Sequence, residues 1–435
     1  MERLRQSCLL IVMTISESQM ISSLRASQLP YVTASRYDAV IVGGGPAGTS
    51  AAIHLAASGA SVLLVEQKKF PRAKLCGEFI SPECLEHFEQ LGVAHQMMDA
   101  GGAELTETLF YSRSGKSLNV PSEWFGSGRA GALGLSRAEM DLRLMERARE
   151  AGVHVLEETQ ATGLLWEKDR VRGVSLKTNG RALEVDSLVA VDATGRSRAL
   201  ARFLDRKGKS NRMATSRRSP LVAFKAHLED AGGHEGHCEI YFYRGGYGGL
   251  SRVENGLSNL CFIAQSRDVR ACGNDAERVM REVLMKNHRA AETLERARAP
   301  SGWLAVALEG FGRRSLVPAA GLLAIGDAAS FIDPFTGSGM LMALESGELA
   351  AQTIARHLAR LRNEESFDET ASDYRALYSQ VFGARLRVCA LMRRAAFVPR
   401  LAETLIFALG TSVPARRYLA RSTRRARWKA VGGKQ

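Results

Sequence analysis

The feature that most constrains the fold is a strand, a glycine turn, a helix and a second strand that follow one another near the start of the chain. Residues 36–42 are mostly apolar and lead directly into the turn at residues 43–48, whose sequence is GGGPAG. Residues 46–58 are rich in small side chains, and residues 61–66 form another apolar strand that ends in an acid. This order predicts a βαβ unit of the Rossmann kind, whose glycine turn meets the phosphates of a dinucleotide.

Four residues of this unit are candidates for binding the dinucleotide. At Gly43, Gly45 and Gly48 a side chain would block the approach of negative phosphates to backbone N–H groups. Glu66 follows the glycines by about twenty residues, the position at which an acid binds ribose hydroxyls. The alternative interpretation is a tight turn and an exposed strand end without a ligand. The flanking strand and helix favour binding.

A second segment, residues 322–340, indicates which dinucleotide is bound. A buried strand at residues 322–325 delivers Gly326 and Asp327 to the edge of a ligand, and a long helix begins near residue 336. A carboxylate at a strand end can hold the ribityl hydroxyls of FAD, and free N–H groups at a helix start can stabilise negative charge on a reduced isoalloxazine. The candidate residues at this helix start are Thr336, Gly337, Ser338 and Gly339. The segment therefore favours FAD over a nicotinamide cofactor.

Stretches that alternate apolar and polar residues separate these cofactor segments. Residues 104–120 and 220–264 have this pattern and predict antiparallel strands, whereas the chain after residue 341 is helical almost to its end. We predict an α/β (α+β) fold in which a Rossmann-like FAD-binding domain is interleaved with an antiparallel-sheet substrate domain, followed by C-terminal helices. The predicted boundaries are 36–100, 136–215 and 316–365 for the FAD-binding domain, 101–135 and 216–315 for the substrate domain, 366–435 for a C-terminal helical region with a basic tail, and 1–35 for an N-terminal extension expected to be disordered.

Positive charge is concentrated at the C-terminal end. The chain has a net charge of +13, and residues 385–434 carry thirteen Lys or Arg against one acid, Glu403, which is +12 of that total. A nearly neutral body argues against a broad nucleic-acid-binding surface. The tail would suit an anionic lipid surface or an acidic carrier protein, or it is simply solvated. We expect a cytoplasmic protein, with peripheral contact to the inner face of the membrane as an open alternative.

The remaining composition excludes several other classes of protein. The seven cysteines are scattered and include no CxxC pair, which is typical of a reducing compartment. The sequence lacks an apolar run of about 18 residues, so we predict no membrane-spanning helix. His234, His237 and Cys238 are metal-binding residue types, but no second cluster of such residues accompanies them, and we predict no metal site.

These motifs, taken in order, resemble the p-hydroxybenzoate hydroxylase superfamily of flavoproteins, and most of all its geranylgeranyl reductase-like branch. The resemblance covers residues 36–360. The glycine turn with Glu66 resembles the pyrophosphate and ribose site, and residues 70–78, FPRAKLCGE, resemble a Cys-Gly segment beside the flavin. Residues 326–339, with the sequence GDAASFIDPFTGSG, are the closest match.

Two further motifs of the resemblance add cofactor residues. Arg137, which follows Ser136 and precedes Asp141, resembles a helix residue that approaches the cofactor. Asp192 and Gly195 stand where the superfamily carries an Asp-Gly motif linked to FAD and NADPH use. The resemblance thus implies FAD as cofactor and NAD(P)H as reductant.

The resemblance also implies candidates for catalysis and for the substrate cavity. Cys76 and Glu78 are the candidate catalytic residues, with a small buried hydrophobe as the alternative interpretation of the cysteine. The aromatic part of the inserted sheet supplies the candidate cavity residues Tyr241, Tyr243 and Tyr247. Residues 246–252 lack the Trp and Pro of the strand that often covers the substrate in the reductases, so the substrate differs or is held differently.

Three hypotheses for function follow from these motifs. In the first, an FAD-dependent oxidoreductase reduces a carbon–carbon double bond of a hydrophobic, isoprenoid or lipid-like substrate. In the second, an FAD-dependent monooxygenase hydroxylates or epoxidises an aromatic or polyketide substrate through a C4a-hydroperoxyflavin. In the third, the chain is a flavin-free binding module that keeps the fold. The intact cofactor motifs favour the first two.

Overall fold

Two seven-stranded sheets and a C-terminal group of helices organise the chain. The computed structural model describes residues 36–125, 129, 131–206, 220–308, 310–333, 335, 337–396, 399–422 and 424. Its strands are β1 Tyr37–Val42, β2 Val62–Val65, β3 Phe79–Ile80, β4 Ala103–Leu105, β5 Glu107–Tyr111, β6 Ser117–Pro121, β7 Ala132–Gly134, β8 His154–Leu156, β9 Thr159–Glu167, β10 Arg170–Thr178, β11 Arg181–Asp192, β12 Leu221–Leu228, β13 His237–Tyr243, β14 Gly246–Arg252, β15 Ser258–Gln265, β16 Leu304–Leu308, β17 Gly312–Arg313, β18 Leu322–Ala324 and β19 Ser330–Phe331. Its helices are α1 Pro46–Ala57, α2 Pro82–Leu91, α3 Ala94–Met98, α4 Arg137–Glu150, α5 Ala199–Arg206, α6 Ser266–Ala271, α7 Ala276–Glu282, α8 His288–Leu294, α9 Gly339–Arg362, α10 Asp368–Ala396, α11 Pro399–Gly410 and α12 Val413–Ser422.

The first sheet has the order β8-β2-β1-β11-β10-β9, with β18 paired to β11. Strands β8, β2, β1, β11 and β18 are parallel, and every residue of β1 is buried. Helices cover such strands on both faces, which is why their sequences are continuous apolar runs. Helix α9 packs so closely on α1 that a Cβ at Gly347 would lie 2.3 Å from the Ala47 carbonyl oxygen.

Strand β11 belongs to two parts of this sheet at once. Residues 181–186 pair antiparallel with β10, and Ser187–Asp192 pair parallel with β1. The burial of β11 changes accordingly, from mainly exposed at its start to fully buried at its end. The parallel half delivers Asp192 to the same edge as Val42 of β1 and Ala324 of β18. Ligands in open α/β sheets bind at this carboxyl edge.

The second sheet has the order β16-β12-β15-β14-β13-β5-β6. All its pairs are antiparallel except β13 with β5. One face packs against helices α6–α8, through residues such as Val279, Leu284 and Leu294. The other face carries Ile240, Phe242 and Tyr247 toward the first sheet. The predicted mixed fold, with antiparallel strands inserted between the cofactor segments, is confirmed.

The described residues from Tyr37 onward form one compact unit. The predicted domain boundaries therefore stay a prediction. The predicted extension at residues 1–35 lies outside the described residues.

The C-terminal helices join the first sheet through buried polar contacts. Tyr374 of α10 donates a hydrogen bond from its hydroxyl to the Ala324 carbonyl at 2.7 Å, and Arg385 forms a buried ion pair with Glu345 of α9 at 2.7 Å. Residues 363–367 break the predicted continuous helix between α9 and α10. None of the described helices is both long enough and apolar enough to span a bilayer.

Candidate functional site

The glycine turn after β1 is shaped by contacts that leave no room for side chains. Gly43 has a φ of +113°, and a Cβ there would lie 2.3 Å from the Ala193 carbonyl oxygen. A Cβ at Gly48 would lie 1.9 Å from the carbonyl oxygen of Gly43. Gly45 has more space around it, because the nearest atoms to a Cβ added there would be in the guanidinium groups of Arg137 at 3.6 Å and Arg72 at 4.0 Å. Gly43 and Gly48 therefore fix the turn, and Gly45 faces a space bordered by two cations.

Glu66 is held at the end of β2 by three donors. Its carboxylate accepts hydrogen bonds from the backbone N–H of Gly44 and of Lys68, each at 3.0 Å, and from Arg72 at 3.3 Å. The side chain is buried and lies on the wall of the cavity described below. The turn and the acid that were predicted to bind a dinucleotide therefore lie together.

Positive side chains collect beside this turn. Arg72, Lys74, Arg137 and Arg196 all line the cavity. Burial lowers the pKa of Lys74, and the neighbouring Arg137, Arg72 and Arg196 lower it further. Glu66 and Asp141 pair with part of this cluster, but Arg72 Nε is buried and has no hydrogen-bond partner among the described residues. The cluster can therefore take a further anion, and a pyrophosphate fits it.

Arg137 is held in this cluster by a bidentate ion pair. Its guanidinium donates two hydrogen bonds to Asp141, at 2.8 and 2.7 Å, one turn further along α4. Burial lowers the pKa of Arg137, but the Asp141 carboxylate outweighs burial and holds that pKa above its ordinary value. Ser136 caps α4 by accepting a hydrogen bond from the Glu139 N–H at 3.2 Å, so the arginine is placed at a fixed helix start.

Asp327 also lines the cavity, in the turn that follows β18. Burial raises the pKa of its carboxyl, although Arg196, Arg137 and Lys74 act in the opposite direction. Gly326 has a φ of +56° and donates its N–H to the Ser346 hydroxyl at 2.8 Å, which attaches this turn to α9. A half-buried carboxylate near several cations at a cavity wall is suited to accept hydrogen bonds from hydroxyl groups.

The start of α9 presents backbone to the cavity at two of its predicted positions. Gly337 and Gly339 line the cavity, and a Cβ at Gly339 would have no atom within 4 Å. Ser338 is the N-cap residue and is buried behind this wall. Thr336 lies outside the described residues. The helix start thus offers a free approach to a ligand, with its N–H groups at the positive end of a helix of 24 residues.

Asp192 supports the site from behind the cavity wall. Its carboxylate accepts hydrogen bonds from the Thr194 N–H at 3.1 Å, the Thr194 hydroxyl at 2.6 Å and the Ala201 N–H at 3.0 Å. The turn that it fixes places Ala193 and Gly195 on the cavity wall. Of the two residues predicted from this motif, Gly195 therefore lines the cavity, and Asp192 holds the turn that places it there.

Glu78 joins the Cys-Gly segment to the second sheet. The residue has a φ of +52° and is fully buried. Its carboxylate accepts hydrogen bonds from the Arg137 N–H at 2.8 Å and from Lys225, and it is hydrogen-bonded to His227 Nε2 at 2.6 Å. The sequence reasoning missed Lys225 and His227, although a Lys and a His two positions apart in an otherwise apolar strand are an available signal.

Cys76 lies on the cavity wall next to this cluster. Its sulfur accepts a long hydrogen bond from the Glu78 N–H at 3.5 Å, and its carbonyl accepts one from Asn259 at 3.2 Å. Lys225 and His227 on β12 and Asn259 on β15 therefore all hold the Cys76–Glu78 segment. The two predicted catalytic residues are brought together, and the segment is attached to the second sheet and, through the Arg137 N–H, to the start of α4.

One cavity of about 780 Å³ connects the cofactor residues with an apolar region. Phe335 lies in this region, with its ring centroid 5.6 Å from that of Tyr247 and 5.4 Å from that of Phe242. Tyr247 donates its hydroxyl to Asp333 and accepts from the Phe335 N–H at 2.8 Å, which links the second sheet to the loop before α9. The apolar side chains on this wall include Phe110, Leu118, Val120, Ile240 and Ile263.

The structure corrects two of the three predicted cavity tyrosines. Tyr241 and Tyr243 point to the opposite face of β13 and pack against α6–α8. The cavity-facing residues of β13 are Cys238, Ile240 and Phe242. Successive residues of a strand point to opposite faces, and both faces of this sheet are covered, so an aromatic residue is buried on either side.

Helices α11 and α12 lie in the predicted C-terminal helical region with a basic tail, and they form a wall of the cavity that was not predicted. Arg416 donates to the Asn119 side-chain oxygen at 2.7 Å, and Arg424 donates to the Gly337 carbonyl at 3.4 Å. The Arg424 guanidinium also lies 4.0 Å from the ring centroid of Phe125. Both arginines line the cavity, so this part of the tail is folded against the site.

Comparisons with known proteins agree with this geometry. A family model described as FAD binding domain matches residues 36–382. The digeranylgeranylglycerophospholipid reductase of Methanosarcina mazei is 27% identical over 324 residues, which are 73% of this chain and 74% of that protein. The likeness to the geranylgeranyl reductase-like branch, predicted from the motifs, is confirmed.

Solved structures show the same fold. A geranylgeranyl bacteriochlorophyll reductase-like protein of Thermoplasma acidophilum superposes with a TM-score of 0.70 at 21% identity, over 88% of this chain and 95% of that one. The flavin-dependent brominase Bmp2 superposes with a TM-score of 0.74 at 22% identity, over 89% of this chain and 93% of that one. At these identities the likeness concerns the fold, which serves more than one reaction.

Proposed function

We propose a reaction for this chain, which belongs to the FAD binding domain family and is an FAD-dependent oxidoreductase. In this proposal it reduces a carbon–carbon double bond of a hydrophobic, isoprenoid or lipid-like substrate. The observation that carries the proposal is the cavity, in which an apolar region continues directly from the cofactor residues, with Cys76 on the wall. The named activity of the reductase from Methanosarcina mazei supports the same class of substrate.

The described residues fit four parts of FAD. The turn at Gly45 with Arg72 and Arg137 would hold the pyrophosphate, and Glu66 would hold the adenosine ribose. Asp327 would accept hydrogen bonds from the ribityl chain, and the backbone at Gly337 and Gly339 would lie against the flavin ring. Bound FAD supplies hydride transfer. NAD(P)H is the proposed reductant of the flavin. It would bind only transiently, because the sequence has one glycine motif for a dinucleotide and FAD occupies it.

The residues of the chain have separate tasks in this reaction. The apolar wall with Phe335, Phe242 and Tyr247 binds the substrate chain and excludes water from the reacting carbons. Cys76 donates the proton that the second carbon requires. Glu78 is a positioning residue, because its carboxylate is committed to Lys225, His227 and the Arg137 N–H.

We expect the purified holoenzyme to reduce a geranylgeranyl lipid in the absence of molecular oxygen. The product should be heavier by two hydrogen atoms for each reduced bond. The measurement is mass spectrometry of the product after anaerobic incubation with NADPH, or with dithionite where NADPH does not reduce the flavin. Replacing Cys76 with Ala is expected to lower kcat about 100-fold while FAD content stays complete, because general acids contribute factors of this size.

The matched control is Cys272→Ala, since Cys272 is buried on the far side of the second sheet. It should leave kcat within twofold of the wild type. Turnover that requires oxygen, with a product heavier by one oxygen atom, would support the monooxygenase instead. Full activity of Cys76→Ala would show that another group supplies the proton.

A further inference from the structure

Helices α11 and α12 form one wall of the substrate region and also face outward. Four of their apolar residues line the cavity, namely Ile406, Leu409, Leu419 and Ala420. On α12 the inward residues Arg416, Leu419 and Ala420 follow the spacing of one helix face. The other face of α12 is therefore available to solvent or to a partner.

That outer face combines exposed apolar and basic side chains. Val413 is 51% exposed and Tyr418 is 77% exposed, and Arg417 and Arg421 are exposed beside them. On α10, Leu391 is 64% exposed, and Arg387 is exposed one turn before it. Tyr418 and Leu391 are the two most exposed large apolar side chains among the described residues. We call these six residues the C-terminal surface.

The substrate cavity reaches the protein surface at this place. Leu391 is both exposed and part of the cavity wall, so the cavity opens beside it. Arg387 on α10 and Arg417 and Arg421 on α12 are exposed on the two helices that border this part of the cavity. An apolar cavity therefore opens onto a surface that is basic and partly apolar.

We propose that the C-terminal surface docks on an anionic lipid bilayer, so that a lipid substrate enters the cavity beside Leu391. The arginines match the anionic headgroups, and Val413, Tyr418 and Leu391 suit the boundary between headgroups and acyl chains. The inference rests on the proposed function, since it states where a lipid-like substrate is taken up. An acidic carrier protein would match the charge but gives no reason for the exposed apolar residues at the opening.

The test is co-sedimentation of the FAD-loaded full-length protein with phosphatidylcholine vesicles, with and without phosphatidylglycerol. We expect binding only when phosphatidylglycerol is present, and weaker binding as salt is raised. Arg417→Gln with Arg421→Gln should weaken binding about 30-fold, because each basic residue near an anionic surface contributes a factor of about five. Tyr418→Ser should weaken the binding that remains at high salt.

The matched control is Arg267→Gln with Arg281→Gln, two exposed arginines on α6 and α7 at the far side of the second sheet. This variant has the same net charge as the test variant and should bind vesicles like the wild type. Equal losses in the two double variants, or no binding to anionic vesicles, would overturn the proposal. Binding to an acidic polypeptide such as polyglutamate but not to vesicles would also overturn it.

Turnover of a short, water-soluble prenyl substrate separates this inference from the proposed function. The Arg417→Gln and Arg421→Gln variant should turn over that substrate at the wild-type rate and lose activity only on vesicle-bound lipid. If the wild type binds vesicles but reduces neither substrate, the proposed function fails and the docking surface stands. If both substrates are reduced equally well by the variant, the docking surface is not a route for substrate.

Discussion

Replacing Gly43 with alanine is expected to abolish FAD binding. The new Cβ would lie 2.3 Å from the Ala193 carbonyl oxygen, and the φ of +113° is one that a side chain rarely adopts. The turn must then move away from β11, and the backbone N–H groups that face the pyrophosphate lose their alignment. We expect FAD affinity to fall by at least about 100-fold, or about 2.7 kcal/mol. The absorbance of flavin per purified chain measures this directly.

The matched control for this prediction is Gly383→Ala in α10. A Cβ at Gly383 would have no atom within 4 Å, and alanine is favoured over glycine inside a helix by about 1 kcal/mol. This variant should retain its full content of FAD and be slightly more stable. A Gly43→Ala protein that purifies with one FAD per chain would show that the turn does not bind the cofactor.

The second large effect concerns the buried ion pair between Glu78 and Lys225. Both side chains are almost completely buried, so removing Lys225 leaves the Glu78 carboxylate with only His227 and the Arg137 N–H as partners, and removing Glu78 takes away the only anionic partner of Lys225 that the described contacts give. We expect Lys225→Met to lower the free energy of unfolding by about 3–5 kcal/mol. The double variant Glu78→Gln with Lys225→Met should recover most of this loss, because it buries no unpaired charge. Chemical denaturation of the four proteins in this cycle gives the coupling energy.

The pH dependence of stability gives an independent check on the same carboxylate. Burial raises the pKa of Glu78, but the hydrogen bond from His227 and the charge of Lys225 outweigh burial and hold that pKa below its ordinary value of 4.5. A lowered pKa stabilises the fold above pH 4.5, and this contribution is lost as the pH falls through the lowered value. The difference in unfolding free energy between the wild type and Glu78→Gln should shrink in acid. Strictly additive effects in the cycle, or a constant difference across pH, would contradict this assignment.

The parts of the fold that the sequence predicted are those whose causes are local. The turn at Gly43 and Gly48 follows directly from β1, and its glycines are needed because of contacts within the βαβ unit and with the end of β11. The position of Glu66 after β2 also depends on residues close in sequence, because its carboxylate accepts hydrogen bonds from the Gly44 and Lys68 N–H groups. Such signals can be recognised in one sequence because chemistry and spacing coincide.

The parts that were missed depend on contacts between distant segments. Glu78 and Lys225 are 147 residues apart, and no local pattern connects them. Period-two alternation places Tyr241 and Tyr243 on one face of β13 but does not tell which face borders the cavity, since both faces are buried. The break between α9 and α10 at residues 363–367 contains neither Gly nor Pro, and Glu364 adopts a φ of +61° there. The end of α9 is marked instead by Arg360 and Arg362 in its last turn and by Asn363 as its C-cap, which are signals that the prediction of a continuous helix did not use.

The most direct test of the central claim is a calorimetric titration of the apoprotein with FAD and, separately, with FMN. Gly45, Glu66 and Arg72 would lie around the adenosine and pyrophosphate part of the cofactor, which FMN does not have in full. We therefore expect one FAD bound per chain and an affinity for FMN that is lower by at least about 100-fold. Equal affinity for the two flavins, or no binding of either, would contradict it.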